Sequence, residues 1–338
     1  MAGALIGAFG PSGAAVPEPK LVYDAPVGIY AYGPSVIDEG STRWMWTCHN
    51  QDPRVIRDHV YYTKFVGGSI VTDRSVLQAS LTGWDSFHTC DPSVVAGVFR
   101  YGGHRYSYAM FYLGNDLDAS AHNQVGVAFA DSLDGPWRKY PEPVVRFQNV
   151  SQWGAGQPSA LTLSPGTGRV ELFYTQGDTS TRAFHRSVDL SNVDRMRVGE
   201  PVELTTAGLT GTDGGTDWLN NYDIAYEPRS RRFVVVREQH PYPPEGDNPW
   251  WIGRAVQVAT IDARTLLRGE GTWHVEGVIS PERTGFARNH NAGLVRTKDG
   301  WLPRSDHTKV VFTDSCAGPT CDSLYEYDLW ELHQPLSR

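Results

Sequence analysis

Five segments of this chain repeat one pattern of residues, and this repeat limits the possible folds more than any other feature of the sequence. Each segment opens with a small or polar cluster, runs into a short apolar strand, turns, and returns through a second strand. Successive segments start 58 to 68 positions apart, at Gly33, Asp91, Gln157, Tyr222 and His290. Self-similarity at a nearly fixed period indicates an architecture in which each unit packs on its neighbours.

Strand patterns follow each of these starting points. The predicted second strands cover residues 44–49, 108–116, 170–178, 233–238 and 300–306, and third strands are predicted at 124–130 and 254–260. Their apolar residues alternate as in half-buried strands, and no long amphipathic helix is predicted. A ring of such sheets buries both faces of each sheet. We therefore predict an all-β fold, a five-bladed β-propeller, as a single domain over residues 21–338.

The residues before this domain, 1–20, are predicted to be a leader or the remnant of a secretion signal. They are small and apolar but lack a basic start. Cys316 and Cys321 flank a Gly-Pro turn and are predicted to close a small disulfide loop in an oxidising compartment. Cys48 and Cys90 are interpreted either as buried thiols or as a second bridge. Together these features favour a secreted or periplasmic protein.

Charge and hydropathy exclude two classes of partner. The formal net charge is −8, acidic and basic residues are interspersed, and no Lys/Arg run provides the positive surface that nucleic acids need. No stretch reaches the ~20 apolar residues of a membrane span. We therefore expect neither a nucleic acid nor a membrane as partner, and the oligomeric state is left open.

The first strands of a propeller converge on its axis, so their starting residues should surround a funnel-shaped pocket, together with the ends of the second strands. The predicted substrate-binding residues from these positions are His49, Asn115, Asp116, Gln157, Asp178, Tyr222 and His290, and Asp306 is a further strand end. Each Asp or Asn has the alternative role of capping a turn. Several carboxylates and histidines at one pore nevertheless repel one another or lose hydration, and this costs free energy unless a ligand binds them.

Aromatic side chains near these positions are candidate platforms for a sugar ring. Trp153 lies just before the third segment, and Trp250 and Trp251 lie in a Pro-rich loop. Packing in the core or at the rim is the alternative for each of them. Trp153 is included in the predicted substrate-binding set.

Three carboxylates are the predicted catalytic residues. Asp91 is the strongest candidate because Pro92 fixes the chain direction directly after it. Its carboxyl group could act as a general base, tune a neighbouring pKa, or orient a substrate as an acceptor. Glu238 and Asp223 lie at a strand end and a strand start of the fourth segment. His290 is interpreted as a hydrogen-bond donor, an acid, or the ligand of a cation on the axis.

Several short motifs resemble those of five-bladed propeller glycosidases. They are Asp-Pro-Ser-Val at 91–94, the Phe-Tyr ends of second strands, and Val-Gly-Val-Ala-Phe-Ala-Asp-Ser-Leu-Asp-Gly-Pro-Trp at 125–137. The greatest resemblance is to glycoside hydrolase family 43 and its relatives. It implies a first-blade Asp as base, a second-blade Asp that tunes a pKa and a third-blade Glu as acid. The pair His290-Asn291 resembles the axial His-Asn of members that hold a central cation, so a structural Ca²⁺ is an option, whereas no required cofactor is expected.

Carried over position by position, the resemblance gives a mixed result. Asp91 matches the second-blade Asp, but the first-blade position holds Gly33 and the third-blade position holds Gln157. Two of the three expected carboxylates are therefore absent from their usual places. The carboxylates that could replace them in space are Asp24, Asp116, Asp178, Asp223 and Glu238.

We expect a glycoside hydrolase that acts on an oligo- or polysaccharide, with furanosides as one candidate class, by carboxylate acid/base catalysis. Gly33 and Gln157 motivate the alternative of a non-hydrolytic propeller. That alternative is either a carbohydrate-binding protein or an enzyme that uses the same pocket as a lyase or biosynthetic cyclase. A pure interaction scaffold fits less well because it needs no funnel lined with carboxylates and histidines.

Overall fold

The computed structural model describes residues 18–148, 152–177 and 181–337, and β-strands make up most of the regular structure there. The strands are β1 (Lys20–Tyr23), β2 (Ala31–Glu39), β3 (Thr42–Asn50), β4 (Asp58–Val66), β5 (Ser69–Leu77), β6 (His88–Tyr101), β7 (His104–Asn115), β8 (Gln124–Ala130), β9 (Arg138–Lys139), β10 (Gly154–Leu161), β11 (Arg169–Gly177), β12 (Thr181–Asp189), β13 (Arg197–Val198), β14 (Val202–Glu203), β15 (Asp223–Glu227), β16 (Arg232–Glu238), β17 (Val256–Asp262), β18 (His274–Ile279), β19 (Arg288–Arg296), β20 (His307–Ser315) and β21 (Leu329–Pro335). The prediction of an all-β chain is confirmed.

The strands group into five antiparallel units, which we call blades 1 to 5. Blade 1 is β2–β5, blade 2 is β6–β9, blade 3 is β10–β13 with β14 beside β12, and blade 4 is β15–β18. Blade 5 consists of β19–β21 and, as its outermost strand, β1 from the start of the chain. The architecture is the predicted propeller.

Blades 5 and 1 close the ring. Strand β19 runs parallel to β2 over two residue pairs, Val295 with Val36 and Arg296 with Ile37, which joins the two blades into one eight-stranded sheet. Lys20 pairs with Glu331. Lys20 was assigned to the leader and instead belongs to the ring, whereas residues 1–17 lie outside the described part of the chain.

The apolar core lies between adjacent blades rather than within one of them. Side chains on the facing surfaces of two neighbouring sheets form each of the larger clusters. Phe173 of blade 3, for example, packs edge-on against Phe233 of blade 4 with ring centroids 5.4 Å apart. The inner strands are buried at most positions on both faces, as strands that lie between two layers are.

The predicted second strand at 300–306 is wrong. Residues 300–306 form a turn after β19, where the backbone N–H of Thr297 donates to the carbonyl of Trp301 at 2.8 Å. The second strand of blade 5 is β20, which begins only at His307. Gly300 has a φ of +78°, a conformation that suits a turn and not a strand. Asp306 therefore lies at the end of the ring opposite to the end where the first strand of each blade begins.

Helices are minor. They are the one-turn helices α1 (Ala263–Leu266) and α2 (Pro281–Thr284) and the 3₁₀ turns η1 (Val193–Arg195) and η2 (Ser323–Glu326). Among the described residues, no helix is long and apolar enough to cross a membrane. Both cysteine pairs form disulfides: the small loop Cys316–Cys321 is confirmed, and Cys48–Cys90 is a second bridge.

Candidate functional site

One residue from each blade lies at the axis with a left-handed backbone, and we call these five residues the axial ring. They are Gly33 (φ 60°), Asp91 (45°), Gln157 (51°), Asn221 (41°) and Asn291 (38°). Four of the five blades place a non-glycine residue in a conformation that L-residues rarely adopt, and such positions concentrate at functional sites. The sequence alignment named Tyr222 and His290 for blades 4 and 5, one residue away from Asn221 and Asn291. In four blades the strand ladder shifts register at this point, as in a β-bulge.

A second set of side chains, two residues further along each inner strand, joins the blades. Each accepts a hydrogen bond from a backbone N–H of the next blade. The pairs are Ser35 with Val94 (3.3 Å), Ser93 with Ala160 (2.8 Å), Ser159 with Ile224 (3.0 Å) and Asp223 with Leu294 (2.9 Å). In blade 5 the position is Gly293, where a Cβ atom would lie 1.9 Å from the carbonyl oxygen of Pro34. The parallel pairing of β19 with β2 replaces the side-chain bond there.

Asp223, one of the three predicted catalytic residues, belongs to this second set. Its Oδ1 accepts from the Ser159 hydroxyl at 2.6 Å and lies 3.1 Å from Nη1 of Arg296, which is buried. Its Oδ2 accepts from Leu294. All of these partners are protein groups that hold blades 3, 4 and 5 together, so we leave Asp223 out of the proposed catalytic groups.

The pocket above the axial ring has a volume of about 320 Å³ and opens between blades 1, 2 and 3. Its lining includes Tyr32, Asp58, His88, Cys90, Asp91, Asn115, Asp118, Asn123, Trp153, Gln157, Asn221 and Asn291. A small cleft of about 40 Å³ continues it along the axis, between the ring residues and Tyr222. The predicted funnel residues Asp91, Asn115, Trp153 and Gln157 thus meet in one cavity.

Asp91 forms part of the floor of this pocket. Its backbone N–H donates to Sγ of Cys48 at 2.9 Å, and its Oδ1 lies 3.6 Å from that sulfur and 3.4 Å from Sγ of Cys90. Burial raises the pKa of the Asp91 carboxyl to about 7, and the charge of Asp58 adds to the shift, while the backbone N–H of Gln157 opposes it. The group therefore holds a proton up to about neutral pH.

Asp58 is the second carboxylate of the pocket, at the first position of β4. Its Oδ1 accepts from the hydroxyl of Tyr30 at 2.7 Å, and its Oδ2 lies 3.1 Å from Nδ1 of His88. The same Nδ1 accepts from the backbone N–H of Asp58 at 2.9 Å. Nδ1 of His88 thus lies against both the backbone and the side chain of Asp58.

Gln157 and Trp153 shape the side of the pocket that blade 3 provides. The Gln157 amide pairs with Asn221: its Oε1 accepts the backbone N–H of Asn221 at 3.0 Å and its Nε2 donates to the side-chain Oδ1 of that residue. Trp153 packs over Gly156 and Gly177, where added Cβ atoms would lie 2.9 Å and 3.3 Å from the indole. These two glycines make room for the ring beside the cavity.

Glu238 and His290 lie behind the axial ring and line none of these cavities. The Glu238 carboxylate accepts from the backbone N–H of Asn291 at 3.0 Å and from the hydroxyl of Tyr242 at 2.9 Å, and it is fully buried. Nδ1 of His290 lies 2.7 Å from Oδ1 of Asn291, and its ring packs edge-on against Tyr327 at 4.5 Å. Burial lowers the pKa of His290. Both residues thus fix Asn291 from behind.

The side chains at His290 do not fit a Ca²⁺ ion. Calcium takes six to eight oxygen ligands. Here the side-chain oxygens of Asn221 and Asn291 are already bound to Gln157 and His290, and the ring of His290 packs on Tyr327. Within the described residues, one group of His, Cys, Asp and Glu has metal-like spacing, Cys48, Cys90 and Asp91, and its two sulfurs are bonded to each other. We derive no role for a cation.

The other predicted residues differ in where they lie. His49 is buried, with its ring stacked on Tyr61 at 3.8 Å, and it lines none of these cavities. Asp116 is exposed and pairs with His122 at 3.0 Å. Tyr222 lines the small cleft, and Asn115 binds the carbonyl of Ala119 at 2.9 Å. Trp250 and Trp251 are exposed in the loop before β17, Asp24 is exposed beside β1, and Asp178 lies outside the described residues.

Sequence reasoning missed Asp58, His88 and Asn123. Strand direction alternates within a blade, so a third strand starts at the end of the ring where the first strand starts. Asp58 opens the third strand of blade 1, two residues before the apolar run Val60-Tyr61-Tyr62. A search that had included the starts of third strands would have found it.

A larger groove, of about 710 Å³, lies at the opposite end of the ring. Its arginines lie beside carboxylates: Arg304 pairs with Asp306 at 3.3 Å and Arg232 lies 3.5 Å from Glu276. Glu227 accepts from the backbone N–H groups of residues 229 and 230 at 2.8 Å. The two carboxylates that line this groove, Glu227 and Asp306, are thus bound by neighbouring protein groups, so the axial pocket is the better candidate for chemistry.

No protein-family model matches this chain, and no curated protein has a similar sequence. Solved structures do share its fold. An α-L-arabinofuranosidase from Podospora anserina in complex with cellotriose superposes with a TM-score of 0.60 at 13% identity, covering 93% of this chain and 95% of that one. The catalytic domain of a family 62 α-L-arabinofuranosidase from Coprinopsis cinerea gives 0.60 at 15% identity, with 94% and 96% covered. A thermostable family-43 glycoside hydrolase gives 0.59 at 14% identity, with 94% and 93% covered. The fold of this chain is that of the propeller glycoside hydrolases.

Proposed function

We propose that the protein is a glycoside hydrolase whose axial pocket binds part of an oligo- or polysaccharide. The observation that carries this proposal is the pair of carboxylates in one cavity, Asp91 with a raised pKa and Asp58 with a hydrogen-bonded carboxylate. Glycoside hydrolysis needs two such groups in different protonation states, one to give a proton and one to activate water or attack carbon.

Asp91 is the proposed general acid. A carboxyl with a pKa of about 7 still holds its proton in neutral solution and can donate it to the leaving glycosidic oxygen. Its place beside Gln157 and Asn221 provides amide groups that can orient sugar hydroxyls. The family resemblance implies an acid in blade 3, but Gln157 takes that position, so this assignment moves the acid to blade 2.

Asp58 is the proposed base or nucleophile. The Tyr30 hydroxyl donates to its Oδ1 at 2.7 Å and fixes the orientation of the carboxylate. His88 faces the same carboxylate and lines the pocket. The family resemblance implies a base in blade 1. Asp58 also belongs to blade 1 and takes that role in this proposal, although it lies on the third strand of the blade and not on the first.

Furanosides of arabinose are the substrate class to test first. Two of the similar structures are α-L-arabinofuranosidases, and a further one, from Bacteroides thetaiotaomicron, is an endo-arabinase. A pocket of about 320 Å³ is large enough for one or two sugar rings, and Trp153 provides a flat apolar face beside it. The two disulfides support folding in an oxidising compartment, as a secreted or periplasmic protein would do.

The test is hydrolysis of a panel of arabinan, arabinoxylan, xylan and aryl furanosides by the purified protein, with released sugar as the readout. Asp91→Asn and Asp58→Asn should each lower turnover by about 10²–10⁴-fold. Asp306→Asn, at the opposite end of the ring, is the matched control and should leave turnover unchanged. Activity that survives both pocket substitutions would contradict the proposal.

One observation favours a second candidate, a non-hydrolytic carbohydrate-binding or repurposed propeller. Only Asp91 among the five axial ring residues is a carboxylate, while Gln157, Asn221 and Asn291 are amides and Gly33 has no side chain. Amides bind sugar hydroxyls without giving or taking protons. Calorimetry with the same glycans separates the candidates, because tight binding without any product in a long incubation supports this second function.

A further inference from the structure

The disulfide Cys48–Cys90 lies directly against the carboxyl group of Asp91. It links the end of β3 in blade 1 to β6 in blade 2, across the seam between the two blades. Cys48 is fully buried, and Cys90 lines the pocket. Both sulfurs lie within 3.6 Å of Oδ1 of Asp91, and the Cys48 sulfur also accepts the Asp91 backbone N–H.

A disulfide presents an unusual surface to a carboxyl group. Its sulfurs carry no proton, so neither can donate a hydrogen bond to Oδ1, although two thiols or two hydroxyls in the same places could. The remaining polar group at the bridge, the hydroxyl of Tyr32, lies 3.2 Å from Sγ of Cys90. On this side, Asp91 therefore loses water without gaining a donor.

We propose that the Cys48–Cys90 disulfide is a positioning element of the catalytic machinery, which fixes the Asp91 backbone through Cys48 and favours the protonated Asp91 carboxyl by presenting no hydrogen-bond donor to it on that side. This inference rests on the proposed function for its consequence in catalysis. The two sulfurs do not touch substrate in this scheme, and they act through Asp91.

The charged and titratable groups around Asp91 agree with this role. From β4 and β6 come Asp58 and His88, and from β2 comes Tyr32. Asp118, in the exposed loop after β7, lines the same pocket. From β10, β19 and the segment before β15, the ring residues are uncharged amides. The burial that raises the Asp91 pKa to about 7 is thus opposed only by the backbone N–H of Gln157.

The decisive experiment is a direct titration of the Asp91 carboxyl by ¹³C NMR in the full chain, assigned by the signal lost in Asp91→Asn. Cys48→Ser/Cys90→Ser places two hydroxyl donors against Oδ1, and its midpoint should fall by at least about one pH unit. Cys48→Ala/Cys90→Ala offers no donor, so its titration midpoint should fall less than that of the serine variant. Cys316→Ala/Cys321→Ala removes the other disulfide and is the matched control, with an unchanged midpoint.

A variant that keeps the bridge guards against misfolding of the double mutants. An added Cβ at Gly33 would lie 3.3 Å from Oδ1 of Asp91, and the other four ring positions already hold side chains at a positive φ. Gly33→Asn therefore brings an amide donor to the carboxyl with both cysteines intact, and the midpoint should fall as in the serine variant. An unchanged midpoint in Gly33→Asn would overturn the inference.

The outcomes also separate this inference from the proposed function. A wild-type midpoint near 4, or equal midpoints in the serine and alanine variants, overturns the inference whatever the activity. The expected midpoints together with no hydrolysis of any glycan leave the inference on Asp91 standing and reject the proposed function. If hydrolysis occurs, the decline of activity at high pH should move to lower pH in the serine variant by the same amount as the midpoint.

Discussion

Asp223 in blade 4 accepts a hydrogen bond from the backbone N–H of Leu294 in blade 5, at a distance of 2.9 Å. The same carboxylate lies 3.1 Å from the buried guanidinium of Arg296. One side chain thus connects neighbouring blades and neutralises a buried charge directly beneath the pocket.

Asp223→Ala should therefore destabilise the protein by about 3–5 kcal/mol, since it leaves the Arg296 charge buried and unpaired. Thermal and urea unfolding measure the loss. Asp306→Ala removes a carboxylate from an exposed pair with Arg304 and should change stability little. If the two variants unfold alike, Asp223 does not have the structural role that its contacts indicate.

Gly293→Ala should cost about 1–3 kcal/mol of stability because the new Cβ would collide with the carbonyl oxygen of Pro34 at the joint between blades 5 and 1. The matched control is Gly253→Ala, where the nearest heavy atoms would lie at an ordinary 3.5 Å. Urea unfolding of both variants makes the comparison. Equal midpoints would show that the joint can shift to admit a methyl group.

Activity should decline as pH rises through about 7, because the proposed acid Asp91 then loses its proton. The measurement is the pH profile of kcat/KM for the best glycan, with wild-type unfolding followed at each pH to exclude loss of fold. Asp116→Asn changes an exposed carboxylate on the nearby loop and should leave the profile in place. A decline centred near pH 4 would rule out Asp91 as the proton donor.

The contribution of Asp91 and Asp314 to stability should fall as pH rises from about 4 to about 7. In the folded state burial raises the pKa of both carboxyls to about 7 from the usual 3.8, and for Asp314 the nearby charge of Asp328 adds to this. Between these values the two carboxyls hold protons in the folded state that they release in the unfolded chain, so their contribution to the free energy of unfolding decreases with pH and levels off above about 7. Asp91→Asn/Asp314→Asn should remove this contribution from the curve of unfolding free energy against pH, measured by urea unfolding at several pH values. A slope that is identical in the variant would contradict both raised pKa values.

The repeat predicted the ring because burial of both sheet faces imposes the same apolar pattern on every inner strand. It located Asp91 and Gln157 correctly on the axis, where a following proline marks the position in the sequence. Blades 4 and 5 lack that proline, and there the alignment was one residue off, at Tyr222 and His290 instead of Asn221 and Asn291. Without the proline, no apolar pattern encodes which residue takes the left-handed backbone at the axis.

The carboxylates show a second limit. Asp223 and Glu238 were singled out because acids at strand ends near an axis suggest catalysis, yet their oxygens are bound to protein groups of neighbouring blades. Asp58 was overlooked although it faces the pocket. Whether a carboxylate meets solvent or a neighbouring backbone depends on three-dimensional contacts between distant segments, as does the pairing of Cys48 with Cys90 across 42 positions.

The pairing of Lys20 with Glu331 has a consequence for how the chain folds. Blades 2, 3 and 4 are each made of consecutive strands, so their contacts are local and can form as soon as their own segment is available. The eight-stranded sheet needs both ends of the chain, and closing so long a loop carries the largest entropy loss in the molecule. The ring should thus close last, and until it does, β2 and β19 present open edges through which two unfinished chains can associate.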